Sequence, residues 1–195
     1  MELYVNGQKL DIQLEDEKTI GDVLKSFEEE CEKTQATTVN IFIDEKNISA
    51  NEFDEVAKQE LKDDTKIELD VVSVSAIKSA FKEQEALAVK IADELETVSV
   101  KFQSGQDKEA NLIITKLADL VDAVCHTASL SALFPEEFNK IKIEDKTFSE
   151  FFADFSPILK DFEQAISSND TVMIGDLSEY EISPRLRALA QALEM

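Results

Sequence analysis

A chain of 195 residues, 43% hydrophobic and 32% charged, has enough mass and apolar content for one globular domain or two small ones, which excludes a disordered or fibrous protein. Its formal net charge of −22 is spread along the chain, with 20 acidic and 8 basic residues in 1–72 and 22 and 12 in 73–195. An acidic surface of this kind opposes nucleic acid and anionic membranes, whose phosphates need Lys and Arg, and it suits a basic or amphipathic protein partner.

Leu3 and Val5 alternate with Glu2 and Tyr4, and Leu10, Ile12 and Leu14 alternate with Lys9, Asp11 and Gln13. Between these runs lies Asn6-Gly7, the pair that a type I′ hairpin turn favours because both central residues need φ > 0. Thr19 and Asp22 form a capping box for a helix whose apolar face is Ile20, Val23, Leu24, Phe27 and Cys31. Val39, Ile41 and Ile43 predict a strand. Ser49 and Glu52 cap a short helix carrying Phe53, Val56 and Ala57, and Ile67, Leu69 and Val71 predict a last strand.

Near residue 72 the apolar period changes from 2 to 3.6, without a Gly/Pro/Ser linker. Ile77, Phe81, Ala88, Ile91, Leu95, Val98 and Phe102 follow a heptad seam interrupted by Gln84, which predicts one helix of about thirty residues ended by Gly105. That seam is also a surface for a homodimer. Asp107 opens a second helix with Ala110, Ile113, Ile114, Leu117, Leu120, Val121 and Val124 on its apolar face, and the short Ser104–Gln106 connection makes the pair antiparallel. Residues 135–146 read as a loop with one helical turn. Thr147 and Glu150 cap a third helix lined by Phe148, Phe151, Phe152, Phe155, Leu159 and Phe162, with Pro157 as a kink. A fourth segment carries Val172, Ile174, Leu177, Tyr180, Ile182, Leu186, Leu189 and Leu193, with a second kink at Ser183-Pro184.

The expectation is therefore an α+β protein, with an N-terminal β-sheet domain over 1–72 and an antiparallel α-helical bundle over 73–195. The order β-β-α-β-α-β resembles the ubiquitin-like β-grasp fold. The opening Leu3-Tyr4-Val5-Asn6-Gly7 with Leu10, followed by Thr19-Ile20, is similar to the start of the small sulfur-carrier proteins of thiamine biosynthesis. Those carriers work through a free Gly-Gly end that is adenylated and thiolated. Here Val71-Val72-Ser73-Val74 runs straight on, so no residue inherits that role. Phe102–Ala110 and the Asp176-Leu177…Glu179-Tyr180-Glu181…Pro184-Arg185-Leu186 stretch are similar to helical segments of uncharacterised bacterial proteins, and a small acidic helical chain is similar in composition to secretion and flagellar-export chaperones.

No catalytic or cofactor motif is present: the four glycines are not clustered, and no acidic run has Ca²⁺-loop spacing. His126, the lone histidine, follows Cys125. A His/Cys pair can bind metal or supply a nucleophile with its base, but helical neighbours point about 100° apart, and packing or surface placement is the plainer reading. The acidic clusters at 15–17, 28–30, 136–137 and 176–181 read as solvated faces. Five phenylalanines between 148 and 162, with Phe138 before them, exceed one buried stripe. Phe148, Phe151, Phe152 and Phe155 are thus candidate partner-binding residues. Arg185 and Arg187, the only arginines, are candidates to grip a partner's carboxylate.

The two distant cysteines read as reduced thiols. A strand pattern directly after Met1, with no run of about 18 apolar residues anywhere, reads as cytoplasmic. The expected function is a non-catalytic bacterial adaptor or chaperone-like protein without cofactor or metal. The alternatives are a divergent sulfur-carrier or ubiquitin-like pathway protein, and a metal-dependent enzyme using His126 with buried carboxylates.

Overall fold

The computed structural model describes residues 1–11, 14 and 16–194 and separates into two compact units, 1–76 and 77–195. Ile12, expected on the second strand, lies outside the described residues.

In the first unit, β1 (Glu2–Val5) and β2 (Gln8–Leu10) form an antiparallel hairpin. Asn6 and Gly7 both take positive φ, at 49° and 77°, as their turn requires. Asn6 does more than turn the chain. Its side-chain amide donates to the Val71 carbonyl (3.1 Å) and its oxygen accepts from the Val71 amide (2.8 Å). Helix α1 (Ile20–Lys33) begins at the predicted capping box: the Asp22 amide donates to Thr19 Oγ1 (3.2 Å) and the Thr19 amide to Asp22 Oδ2 (2.9 Å). It buries Ile20, Val23, Leu24 and Cys31 and half-buries Phe27. Strand β3 (Ala36–Ile43) starts earlier than Val39, because Glu28 accepts from both Thr37 Oγ1 (2.9 Å) and Thr38 Oγ1 (3.0 Å). The β3–β5 register shifts between Thr38 and Asn40, which leaves Val39 exposed.

A two-residue strand, β4 (Lys46–Asn47), was not legible. Its turn residues Asp44 and Glu45 sit at φ 49° and 69° without the Gly or Asn that signals such a turn. After α2 (Ala50–Val56), β5 (Lys66–Ser73) completes a five-stranded sheet in the order β2-β1-β5-β3-β4, with β1 and β5 parallel. Leu3, Ile43, Ile67 and Leu69 close its core against α1. Gly21 lets α1 approach the end of α2. Its amide donates to the Ala57 carbonyl (2.9 Å), and an added Cβ would lie 2.8 Å from that oxygen.

The second unit is helical. The expected thirty-residue helix is two: α3 (Val74–Leu95), which begins directly where β5 ends, and α4 (Val98–Gln103). At the break Thr97 donates its hydroxyl back to the Glu94 carbonyl (2.7 Å), a competing local bond of the kind that interrupts helices. Gly105 then takes φ 74° ahead of α5 (Asp107–Ser131). The seam residues Ile77, Phe81, Gln84, Ala88, Ile91, Leu95 and Val98 are all buried within the single chain, so this seam is not a free dimer surface.

One helical turn, α6 (Pro135–Phe138), and a tight turn at Glu144-Asp145 (φ 50° and 68°) lead to α7 (Phe148–Ser167), capped by Thr147 and Glu150 as predicted. Pro157 is accommodated inside α7 as one helix, on its exposed side. The last run is α8 (Thr171–Asp176), a π turn over Leu177–Ile182, and α9 (Ser183–Leu193). The expected kink at Pro184 is replaced by this π turn, whose i→i+5 bonding absorbs one extra residue just before a proline that lacks an N–H.

Candidate functional site

The phenylalanine cluster is mostly core. Phe151 and Phe155 are 3% and 0% exposed, and their rings lie 5.6 Å apart. Phe148 stacks on Phe81 at 5.6 Å, and Phe138 meets Phe81 edge-on at 5.9 Å. Buried as they are, Phe151 and Phe155 are not exposed contacts, while Phe148 and Phe152 are half-buried. The ring density is explained by aromatic pairs holding α3, α6 and α7 together.

The arginines are also occupied within the chain. Arg185 donates to the Glu181 carboxylate (2.6 Å) and carbonyl (2.8 Å), and Arg187 pairs with Glu96 (2.7 Å) and Asp93 (2.8 Å). Both sit in the first half of α9.

His126 is exposed, and among the described residues no aspartate or glutamate is buried. The arrangement expected for a histidine with buried carboxylates is therefore not formed, and among the described residues no three His, Cys, Asp or Glu side chains converge on a metal-sized site. Burial, aided by Asp122, raises the Cys125 thiol pKa. Burial, aided by Glu28, does the same for Cys31, and both thiols stay protonated at neutral pH.

A different feature stands out on the second unit. Helix α5 consumes one row of its apolar face (Ala110, Ile113, Leu117, Leu120, Val124) in the core and keeps a second row, Ile114, Ala118 and Val121, at the surface. Helix α7 does the same after its phenylalanine stretch. Phe162 and Ala165 are buried, while Leu159 and Ile166 are half-buried. The two spare rows line an open groove of about 430 Å³ whose floor is Leu117 and Phe162. Its polar lining is Asp122 on α5, and Glu163 and Ser167 on α7; both charged members are acidic. The sequence contained the signal, since seven apolar positions on α5 form an arc wider than one neighbour can cover. It could not show which row would be left over.

Residues 79–192, more than half of the chain and all of this groove, match the family model described as "Domain of unknown function (DUF8042)". The chain belongs to the DUF8042 family. Residues 1–73, ahead of the DUF8042 segment, match the model described as "TP0873 N-terminal domain". A relative from Treponema pallidum (strain Nichols), named "Uncharacterized protein", is 28% identical over 193 residues, which covers 99% of this chain and 96% of the relative. Similarity to that relative thus runs through both units and is not confined to the DUF8042 part. No solved structure matches. Among the described residues, no helix is long and apolar enough to cross a membrane.

Proposed function

We propose that this chain is a non-catalytic, cytoplasmic interaction protein, an adaptor or chaperone-like module. The observation that carries the reading is the α5–α7 groove: an apolar surface left open on a unit whose net charge is −10. Apolar rows that a fold does not consume are the usual mark of a surface covered by a partner.

The architecture supports a finer description. The sheet order β2-β1-β5-β3-β4, with a central parallel β1–β5 pair and α1 crossing between β2 and β3, is what a β-grasp domain requires. β5 passes into α3 without a free end, which favours a recognition role over a carrier role for this unit. In the second unit, contacts run in opposite senses along successive segments. Gln84 meets Thr127, Glu94 meets Lys116 and Lys101 meets Glu109, while Ser99 meets Gly175 and Ala92 meets Ser183. These descending pairs support an antiparallel helical bundle.

Site-specific photo-crosslinking in cells that make the protein tests the interaction reading. Probes at Val121 and Ile166 in the groove, and at Val39 and Phe53 on the first unit, are expected to yield at least one discrete protein adduct. If all four positions give none, the reading is overturned.

A further inference from the structure

We infer that the α5–α7 groove seats one short amphipathic helix of basic character, supplied by a partner protein. The inference rests on the interaction reading above and specifies its occupant.

Three observations select a helix with basic flanks. First, both walls are α-helices whose backbone bonds are made internally, so the groove offers an incoming chain side chains alone. An extended segment laid there would leave its own N–H and C=O groups unpaired against apolar walls. A helix brings them already paired.

Second, the length fits. The half-buried wall residues run from Ile114 to Val121 on α5 and from Leu159 to Ile166 on α7, a separation of seven positions on each side. At a rise of about 1.5 Å per residue that is about 10.5 Å, the distance from i to i+7 on an incoming helix. About three apolar side chains, at i, i+3 or i+4, and i+7, therefore fill it.

Third, the charge is one-signed. Asp122 flanks one wall and Glu163 the other, with no cation among the lining residues. A second copy of this chain would set these carboxylates against their own kind on a surface that is already strongly acidic. Lys or Arg beside the apolar stripe of a partner helix would instead face an acid on either side.

The test uses the full chain and a synthetic capped helix of about fifteen residues, with Leu at the i, i+4, i+7 positions and Lys at the others. A control peptide of identical composition has its Leu spread around the helix. Titration calorimetry is expected to show one site for the patterned peptide, at least about tenfold tighter than for the control. Leu159→Asp should weaken it by about tenfold or more. The double reversal Asp122→Lys with Glu163→Lys, on exposed positions that leave the fold intact, should weaken it similarly and flatten its salt dependence.

Equal binding of the two peptides, or binding untouched by the charge reversal, overturns the inference. So does a concentration-dependent dimer in sedimentation that Leu159→Asp dissolves, since the occupant would then be a second copy. If the peptide fails while photo-crosslinks appear at Val39 or Phe53, the helix-in-groove inference falls and the interaction reading stands. If no position crosslinks, both fall.

Discussion

Gln84 is the one long polar side chain in the buried α3 seam, and its replacement by leucine is expected to stabilise the helical unit. Its Nε2 donates to Thr127 Oγ1 (2.7 Å) and to the Ala123 carbonyl (3.1 Å), and its Oε1 is buried without a hydrogen-bond partner among the described residues. Gln84→Leu gives up two hydrogen bonds, each about 1 kcal/mol net, and removes a stranded acceptor that costs about 1–3 kcal/mol. It also adds apolar burial, about 1 kcal/mol for a site that is already closed. Thr127 does not become an orphan donor, because its hydroxyl already donates to the Ala123 carbonyl at 2.9 Å. The balance is a gain of about 0–2 kcal/mol, or up to about 8 °C in thermal midpoint for a unit of this size. Urea and thermal unfolding followed by far-UV circular dichroism would measure it. Thr127→Val supplies a cycle: it should cost about 1 kcal/mol alone and close to nothing beside Gln84→Leu. Destabilisation by Gln84→Leu of about 1 kcal/mol or more would refute the reasoning and mean that a buried water completes the Gln84 amide. Because the seam is internal, sedimentation should give the same mass for both proteins.

Two further outcomes follow from the first unit and the helix caps. Replacing Asp44-Glu45 by Asn-Gly should stabilise the unit by about 1 kcal/mol in chemical denaturation, since it relieves left-handed strain and Asn keeps the acceptor that Asp44 Oδ1 offers the Lys66 amide (2.9 Å). The cap carboxylates predict an acid-labile fold. Lys46 and Ser49 pull Glu52 down to about 2, the Lys18 and Thr19 amides lower Asp22, and the Thr147 amide and hydroxyl lower Glu150. Folded-state values below the unfolded ones mean that this stabilisation is complete above about pH 4.5 and is lost as pH falls through the folded values. Thermal midpoints measured from pH 6 down should therefore drop less steeply for Glu52→Gln than for the parent. The comparison cancels the relief of repulsion that acid brings to so acidic a chain.

Where sequence and structure agree, the signal was local. Asn6-Gly7, Thr19/Asp22, Ser49/Glu52 and Thr147/Glu150 act over three residues, and each occurs where its chemistry requires. Where they part, the deciding contact was remote or the local rule was broken. The β4 hairpin hides because Asp44 and Glu45 take a conformation that neither residue advertises. The break at Glu96-Thr97 lies where the apolar spacing runs on without change from Ile91 and Leu95 to Val98 and Phe102. Phe148 of α7 read as surplus because its partner, Phe81, comes from α3, far upstream in the chain. Arg187 read as free because Glu96 and Asp93 lie about ninety positions upstream, whereas the partner of Arg185, Glu181, is four residues away and within reach of the sequence. The groove was half legible: its residues were recognised as apolar, but which row stays uncovered depends on how α5 and α7 share the core.

The π turn over Leu177–Ile182 also determines where the length of the last helix can vary through evolution. Removing a single residue from an ordinary helix rotates everything beyond it by about 100°, which here would swing Leu186, Leu189 and Leu193 out of the core. Within the π turn the surplus residue is already looped into a wider ring, so its loss leaves a regular helix with both flanks in phase. Homologues one residue shorter should carry their gap at that ring, and nowhere else between Thr171 and Leu193.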